Sequence, residues 1–359
     1  MTRRALTIVG LAAALGMASL VHARSEWTCP DGFAGQTLSV YNWTTYIAED
    51  TIDNFEAACG VRVIYDTFPS DDDMLARMRQ GNPGYDIVVP SDRVVAIMIE
   101  EGLLLPLDRA LLPNWVHLDT TFLGLDFDPG NRYSIPYQWG TLGIGYHVGR
   151  VGFEVKTWMD MFTYDGPVSW IEDIRAMMGS AAVTIGLDPN TGDPDEIRAI
   201  QQFMIDHGRN VVYINQDDGQ EVLLRGEVDI VVEYSGDIFQ IMEECECDDF
   251  AFVIPLEGAN FWVDNLTIPL GASNVPLAHV FLDYLMDPRV AADIANYTAY
   301  GSPNQSAIDL GLIDEELLAN PGIYPDEETE ARLFRVLQDS ALEQLYNDAW
   351  DELKIFIGR

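Results

Sequence analysis

Residues 37–90 read TLSVYNWTTYIAEDTIDNFEAACGVRVIYDTFPSDDDMLARMRQGNPGYDIVVP. Three apolar runs recur in this stretch: Thr37-Leu38-Ser39-Val40-Tyr41, Val61-Arg62-Val63-Ile64-Tyr65 and Tyr85-Asp86-Ile87-Val88-Val89. Each is short, rich in β-branched and aromatic residues, and bounded by turn formers, which predicts strands. Between them the pattern turns helical. Thr51 to Ala58 forms one helix, stopped by Gly60. Ser70 caps a second, which opens on Asp71-Asp72-Asp73, where acids suit the positive end of the helix dipole, and ends at Gly81. Strand-helix-strand-helix-strand demands crossover connections, and so a parallel sheet covered on both faces.

The theme continues towards the C-terminus. Val168-Ser169-Trp170 lies near a strand-to-helix turn, and Asp193-Pro194-Asp195-Glu196 opens a helix that runs to about His207. Val211 to Ile214 and Val228 to Val232 read as strands, with a short helix from Gln220 to Leu224 between them. Leu266 to Leu270 reads as a strand and Pro276 to Met286 as a helix. From Glu327 the tail reads as helical, with Leu333, Val336, Leu337 and Leu345 as its apolar face. No low-complexity linker separates two halves, so a chain of two lobes crosses between them more than once.

The first residues read as a secretory signal. Arg3 and Arg4 precede an apolar run from Ala5 to Leu20, and Val21-His22-Ala23 fits the small-x-small cleavage rule, so the expected mature chain begins at Arg24. No cysteine stands at the cleavage point. The 359-residue chain carries 58 acids against 20 Lys and Arg, a net charge of −38. That balance disfavours nucleic acid and anionic lipid, whose phosphates need a cationic face, and draws cationic solutes. A hydrophobic content of 48% marks a folded globule rather than an acidic disordered chain. Export permits disulfides among Cys29, Cys59, Cys245 and Cys247, although spacing alone does not fix their pairing.

In open α/β sheets ligands bind beyond the carboxyl ends of the strands. Trp43, Thr44, Thr45 and Tyr46 follow the first strand, and Ser91, Asp92 and Arg93 the third. Tyr234 and Asp237 follow the strand ending at Val232, Trp262 and Asp264 precede the strand at Leu266, and Tyr300 sits in a later turn. Aromatic faces attract a desolvated cation, and a carboxylate fixes it by charge-assisted hydrogen bonds. Trp43, Tyr46, Tyr234, Trp262 and Tyr300 would wall a slot for an amine, with Asp237 and Asp264 anchoring its ammonium groups. Singly, each has a plainer reading: an aromatic there packs the core, and an Asp caps a helix or turn.

At these loops the chain resembles the periplasmic spermidine/putrescine-binding proteins, the substrate-binding components of polyamine ABC transporters. The resemblance runs from about Leu38 to the tail. It rests on Tyr41 to Ile47, Tyr85 to Ser91, Ser134-Ile135-Pro136-Tyr137-Gln138-Trp139-Gly140-Thr141, Gly143 to Tyr146, Leu187 to Asn190, Pro255 to Gly258 and Asn320 to Pro325. It implies a non-enzymatic α/β protein of two lobes, each a largely parallel sheet flanked by helices, with the ligand cleft between them. Residues 1–23 would then be the signal, 36–143 with 265–308 the first lobe, and 144–264 with 309–359 the second. Its implied partners are a small cationic amine and a membrane-embedded ABC permease; it implies no cofactor and a monomer. Trp43, Thr44, Ser91, Tyr234, Asp237, Trp262, Asp264 and Tyr300 match the family's ligand contacts, and Gln338 matches a polar contact near the chain end.

Three positions depart from the family pattern. Thr45 stands where an acid is usual, Ala176 stands where a glutamate is common although Asp173 is kept, and Arg93 replaces a neutral or aromatic residue. A di- or triamine needs an anionic partner at each end, because an unpaired buried ammonium is costly. The departures therefore raise a modified or carboxylated amine as an alternative ligand, with Arg93 facing its carboxylate. A ferric-ion binder of similar architecture is a further alternative. No nucleophile elbow, phosphate loop or HExxH motif marks an enzyme, and His117, His147, His207 and His279 lack metal-ligand spacing.

Overall fold

The computed structural model describes residues 27–358 except 217 and 246. The signal expected over residues 1–23 lies outside the described residues. Among the described residues no helix is long and apolar enough to cross a membrane.

The opening stretch folds as its periodicity requires. Strand β1 (Thr37–Trp43) is followed by helix α1 (Thr51–Cys59), β2 (Arg62–Phe68), α2 (Asp71–Arg79), β3 (Ile87–Val88) and α3 (Asp92–Glu100). Helix α1 buries Phe55 and Cys59 on one face and ends at Gly60, whose φ of 65° is the left-handed turn that glycine adopts without strain. The Ser70 hydroxyl accepts from Asp73 N and caps α2. β1 pairs parallel with β2 and with β3.

The remaining strands are β4 (Ser134–His147), β5 (Val168–Ile171), β6 (Val211–Asn215), β7 (Ile230–Tyr234), β8 (Phe250–Val253) and β9 (Phe261–Thr267). The longer helices between and after them are α4 (Ile174–Thr184), α5 (Pro194–His207), α6 (Gly219–Leu224), α7 (Ser235–Cys245), α8 (Val275–Leu285), α9 (Pro288–Thr298) and α10 (Ser340–Ile357). One sheet runs β2-β1-β3-β9-β4-β7-β5-β6, and β8 pairs with β4. Each wing is parallel: β1 with β2 and β3, and β5 with β6 and β7. The wings join through antiparallel β4 and β9, which pair from Ser134 opposite Thr267 to Thr141 opposite Phe261. The far half of β4 pairs with β7. Every residue of β4 except His147 is buried, which explains its near-continuous apolar and glycine run.

Each wing is packed on both faces. Leu38, Phe55, Ile87, Leu266 and Phe281 form a core on one side of the first wing, and Tyr41, Phe68, Met74 and Met98 one on the other. In the second wing Ile144, Trp158, Trp170, Met177 and Trp350 form the larger core, and Val222, Val231 and Ile241 a smaller one. Ile313 and Ala307 pack with Ala292 and Ala295 of α9, so the chain just beyond residue 309 still leans on the first wing. Disulfides join Cys29 to Cys59 and Cys245 to Cys247.

Two elements differ from the reading of the sequence. The strand expected over 266–270 runs instead from Phe261 to Thr267, and its alternation puts Trp262 and Asp264 on one face from its first residues. The helical tail expected from Glu327 breaks after Glu330 and resumes only at Ser340. Between them Phe334 runs beside the start of β9, with Phe334 N donating to Ala259 O at 3.0 Å and Phe261 N donating to Phe334 O at 2.8 Å. Backbone pairing with β9 outweighs the helical period there.

Candidate functional site

The carboxyl ends of the parallel strands in the two wings face one chamber. β1 delivers Trp43 and Thr44, and a tight turn brings Tyr46 back to it. Thr45 makes that turn at φ 49°, an uncommon conformation for a β-branched residue. The turn after β2 supplies Asp71, and the segment after β3 supplies Ser91, Asp92 and Arg93. From the second wing come Asp173 after β5, and Tyr234 and Asp237 at the junction of β7 and α7. The crossing strand β9 projects Trp262 and Asp264 from the same face, two residues apart. Ala299 ends α9 at φ 56° and turns Tyr300 inwards.

Four rings form the chamber's apolar wall. Trp262 meets Tyr300 edge-on at 5.1 Å and Tyr234 at 5.7 Å, and Tyr46 meets Tyr300 at 5.4 Å. Edge-to-face packing leaves ring faces free to receive a cation. Gly140 of β4 makes room for this cluster: a Cβ there would lie 2.6 Å from Trp262 Cζ2 and 3.0 Å from Tyr300 Cδ1.

Phenols orient the carboxylates. The Tyr300 hydroxyl donates to Asp237 Oδ2 at 2.7 Å, and the Tyr234 hydroxyl to Asp173 Oδ2 at 3.1 Å. Asp173 also caps α4, accepting from Ala176 N at 3.1 Å. Asp264 is 6% exposed and lies against the Tyr46 hydroxyl. Burial, then the Asp264 charge, holds that phenol well above its ordinary value. Asp71 accepts from the Ser91 hydroxyl and, at 3.3 Å, from Ser91 N.

Burial dominates the electrostatics of these acids. It pushes Asp237 up to about 6, opposed by the Tyr300 hydrogen bond. It lifts Asp71 to about 6 against the pull of Arg93 and Ser91, and Asp92 to about 7 against the pull of Arg335. Raised carboxyl values mark groups whose ionised form lacks compensation. A chamber of this kind gains most from an entering cation.

Arg93 is drawn into the cleft and is paired there. Its Nη1 lies 3.4 Å from Glu343 Oε2 on α10, and Glu343 Oε1 accepts from Arg175 Nη1 at 3.0 Å. Its charge is answered by a protein carboxylate, so it faces neither open solvent nor a vacant anion site. Arg335 spans the cleft beside it, reaching Asp92 at 3.4 Å and pairing with Asp126.

Two expected residues fall outside the chamber. Thr45 sits exposed on its turn, and Gln338 lines a neighbouring groove with Asp92, Arg93 and Arg335. The break in the tail explains the latter, since it carries Val336 rather than Gln338 to the chamber wall. Asp71, which the sequence offers as a helix-opening residue, brings an acid to the chamber that Thr45 does not line. Ala176 is fully buried in the second core and does not line the chamber. Asp71, Asp92, Asn260 and Val336 line the chamber without having been singled out. The strand-end rule that marks Ser91 also covers Asp71 and Asp92; no local signal marks Val336. Among the described residues no three His, Cys, Asp or Glu side chains converge as a metal-binding group.

Comparison with known proteins bears on this site. The model of the bacterial extracellular solute-binding protein family matches residues 50–323. The putrescine-binding periplasmic protein SpuD of Pseudomonas aeruginosa is 33% identical over 318 residues, covering 83% of this chain and 86% of that protein. The spermidine/putrescine-binding periplasmic protein of Escherichia coli is 33% identical over 347 residues, 96% of each chain. Among solved structures, the spermidine/putrescine ABC transporter substrate-binding protein PotD of Streptococcus pneumoniae superposes with a TM-score of 0.78 at 31% identity, covering 90% of this chain and 100% of that one.

Proposed function

Because the chain belongs to the bacterial extracellular solute-binding protein family, we propose that it captures a small polyamine in the cleft between its wings and hands it to an ABC permease. The observation that carries this reading is the pairing of buried Asp237 and Asp264 with a wall of four aromatic rings in one chamber. An ammonium leaving water loses a large hydration energy, and only close carboxylates and π faces offset it. The methylene chain of the amine lies against the rings, where its apolar surface is removed from water.

The binding residues on this reading are Trp43, Thr44, Tyr46, Ser91, Asp173, Tyr234, Asp237, Trp262, Asp264 and Tyr300, joined by Asp71 and Asp92. The first lobe takes residues 36–143 with 265–308, and the second 144–264 with 309–359. Antiparallel β4 and β9 form the hinge between them, and closure about it buries the ligand. The mature protein starts at Arg24, works in the periplasm as a monomer, and catalyses no reaction. Relatives described as periplasmic binders of putrescine and spermidine support the compartment and the ligand class. The carboxylated-amine and ferric-ion readings lose ground, since Arg93 already has a carboxylate partner and these relatives bind polyamines.

Thermal melting of the mature chain against putrescine, cadaverine, agmatine, spermidine and ferric citrate tests the reading. A ligand that binds only the folded state raises the melting temperature. The expected result is a dose-dependent rise with at least one amine and none with ferric citrate. A rise with ferric citrate alone contradicts it.

A further inference from the structure

The amine chamber does not end at Asp71 and Asp173. These two residues, with Trp43, Arg93 and Tyr234, also line a second compartment. That compartment is acidic as well, with Asp72, Asp73, Glu172 and Glu343 in its walls. By carboxylates alone, the two form one continuous track for a long, multiply charged amine. Arg93 interrupts it at the junction, while Arg175 stands in the wall of the second compartment, paired with Glu343.

We propose that Arg93 sets the specificity of the cleft: its guanidinium is a resident cation at the junction of the two compartments, occupying the track of a third ammonium and restricting the site to short diamines. This rests on the amine reading above. The side chain comes from α3 in the first wing and is held across the cleft, 3.4 Å from Glu343 of α10. Glu343 is itself fixed by Arg175, 3.0 Å away and 2% exposed, whose guanidinium carbon lies 4.2 Å from the centre of the Tyr346 ring. Arg93 is therefore placed by a chain of contacts that is anchored on the buried Arg175.

The acids around the junction answer Arg93. Glu343, Asp71, Asp173 and Asp72 are the charges that favour its protonated form against burial. Asp237 and Asp264 do not line the second compartment; Asp237 accepts from the Tyr300 phenol, and Asp264 lies near that of Tyr46. A diamine is served by these two acids without displacing any internal pair. A triamine extends its last ammonium towards Arg93, where like charges repel and the acids are already engaged.

Calorimetric titration of the mature chain with putrescine and with spermidine, in the native protein and in R93Q and R93K, tests this. The native chain is expected to bind putrescine at least tenfold more tightly than spermidine. R93Q removes the resident charge, leaves Asp71 and Asp173 to a third ammonium, and shifts the ratio of the two Kd values at least tenfold towards spermidine. R93K keeps the charge and the native ratio. A native chain that binds spermidine as tightly as putrescine overturns the proposal, and this arm decides even if R93Q does not fold. An unchanged ratio in a folded R93Q also overturns it and leaves the amine reading standing. Binding of neither amine by the native chain overturns both.

Discussion

Asp237 carries the chemistry at the scale of single residues. Its partner is a phenol rather than a guanidinium, and burial holds its carboxyl up at about 6. An incoming ammonium supplies the missing charge. Asp237→Asn and Asp264→Asn are each expected to weaken amine binding about 100-fold or more, the scale of leaving a buried charge without its partner. Calorimetric titration of the two variants reads this directly. The same carboxyl fixes a pH dependence. In the unfolded chain an aspartate ionises near 3.8, whereas in the fold Asp237 and Asp71 keep their protons to about 6 and Asp92 to about 7. The folded state thus binds more protons between about pH 4 and 7, and the ligand-free protein loses stability as pH rises through that window. Amine binding restores the ionised form, so it releases protons near pH 6 and weakens below it. Titrations at pH 6 in buffers of different ionisation enthalpy are expected to show that release; an enthalpy independent of buffer contradicts it. Residue identity at the strand ends made Trp43, Tyr234, Asp237, Trp262, Asp264 and Tyr300 legible in the sequence. Asp71 was hidden because an acid at a helix start has an ordinary explanation there.

At the scale of elements the crossing strands decide most. β4 and β9 bring Trp262 and Asp264 to the chamber on one face, and Gly140 leaves the space that the rings of Trp262 and Tyr300 fill. Gly140→Ala forces both rings to move. The expected result is a loss of about 1–3 kcal/mol in stability, as for overpacking elsewhere, together with at least tenfold weaker amine binding. Denaturant unfolding and titration separate the two effects. The Cys29–Cys59 bond, over a sequence separation of 30, closes a loop that contains β1 and α1 and ties the segment before β1 to the last residue of α1. Cys59→Ser is expected to cost about 3–4 kcal/mol of stability through loop entropy, with amine affinity unchanged. The alternating elements from β1 to α3 were readable because each carries a clean period and a stop signal. The long β4 was not, since a strand buried along its whole length loses its period-2 pattern, and glycine appears in it for close packing. The tail defeats a local reading for another reason. Residues 331–339 have apolar spacing that suits a helix, yet the backbone of Phe334 among them is engaged by Ala259 and Phe261 from a distant part of the chain.

At the scale of the molecule, two parallel wings present their strand ends to one another across a cleft, and a pair of antiparallel strands holds them together. Acidity serves this architecture twice. The net charge of −38 favours cations near the surface, and the buried carboxylates of the chamber select among them. Contacts across the cleft, Tyr300 to Asp237 and Arg93 to Glu343, link the wings through the same side chains that shape the ligand's space. Recognition and closure are therefore one event on this account. A crystal structure of the mature protein with putrescine tests it most directly. The account predicts one ammonium nitrogen within hydrogen-bonding distance of Asp237 or Asp264, and the methylene chain against the rings of Trp262 and Tyr300. Putrescine bound elsewhere, with those two carboxylates turned away from it, contradicts the account.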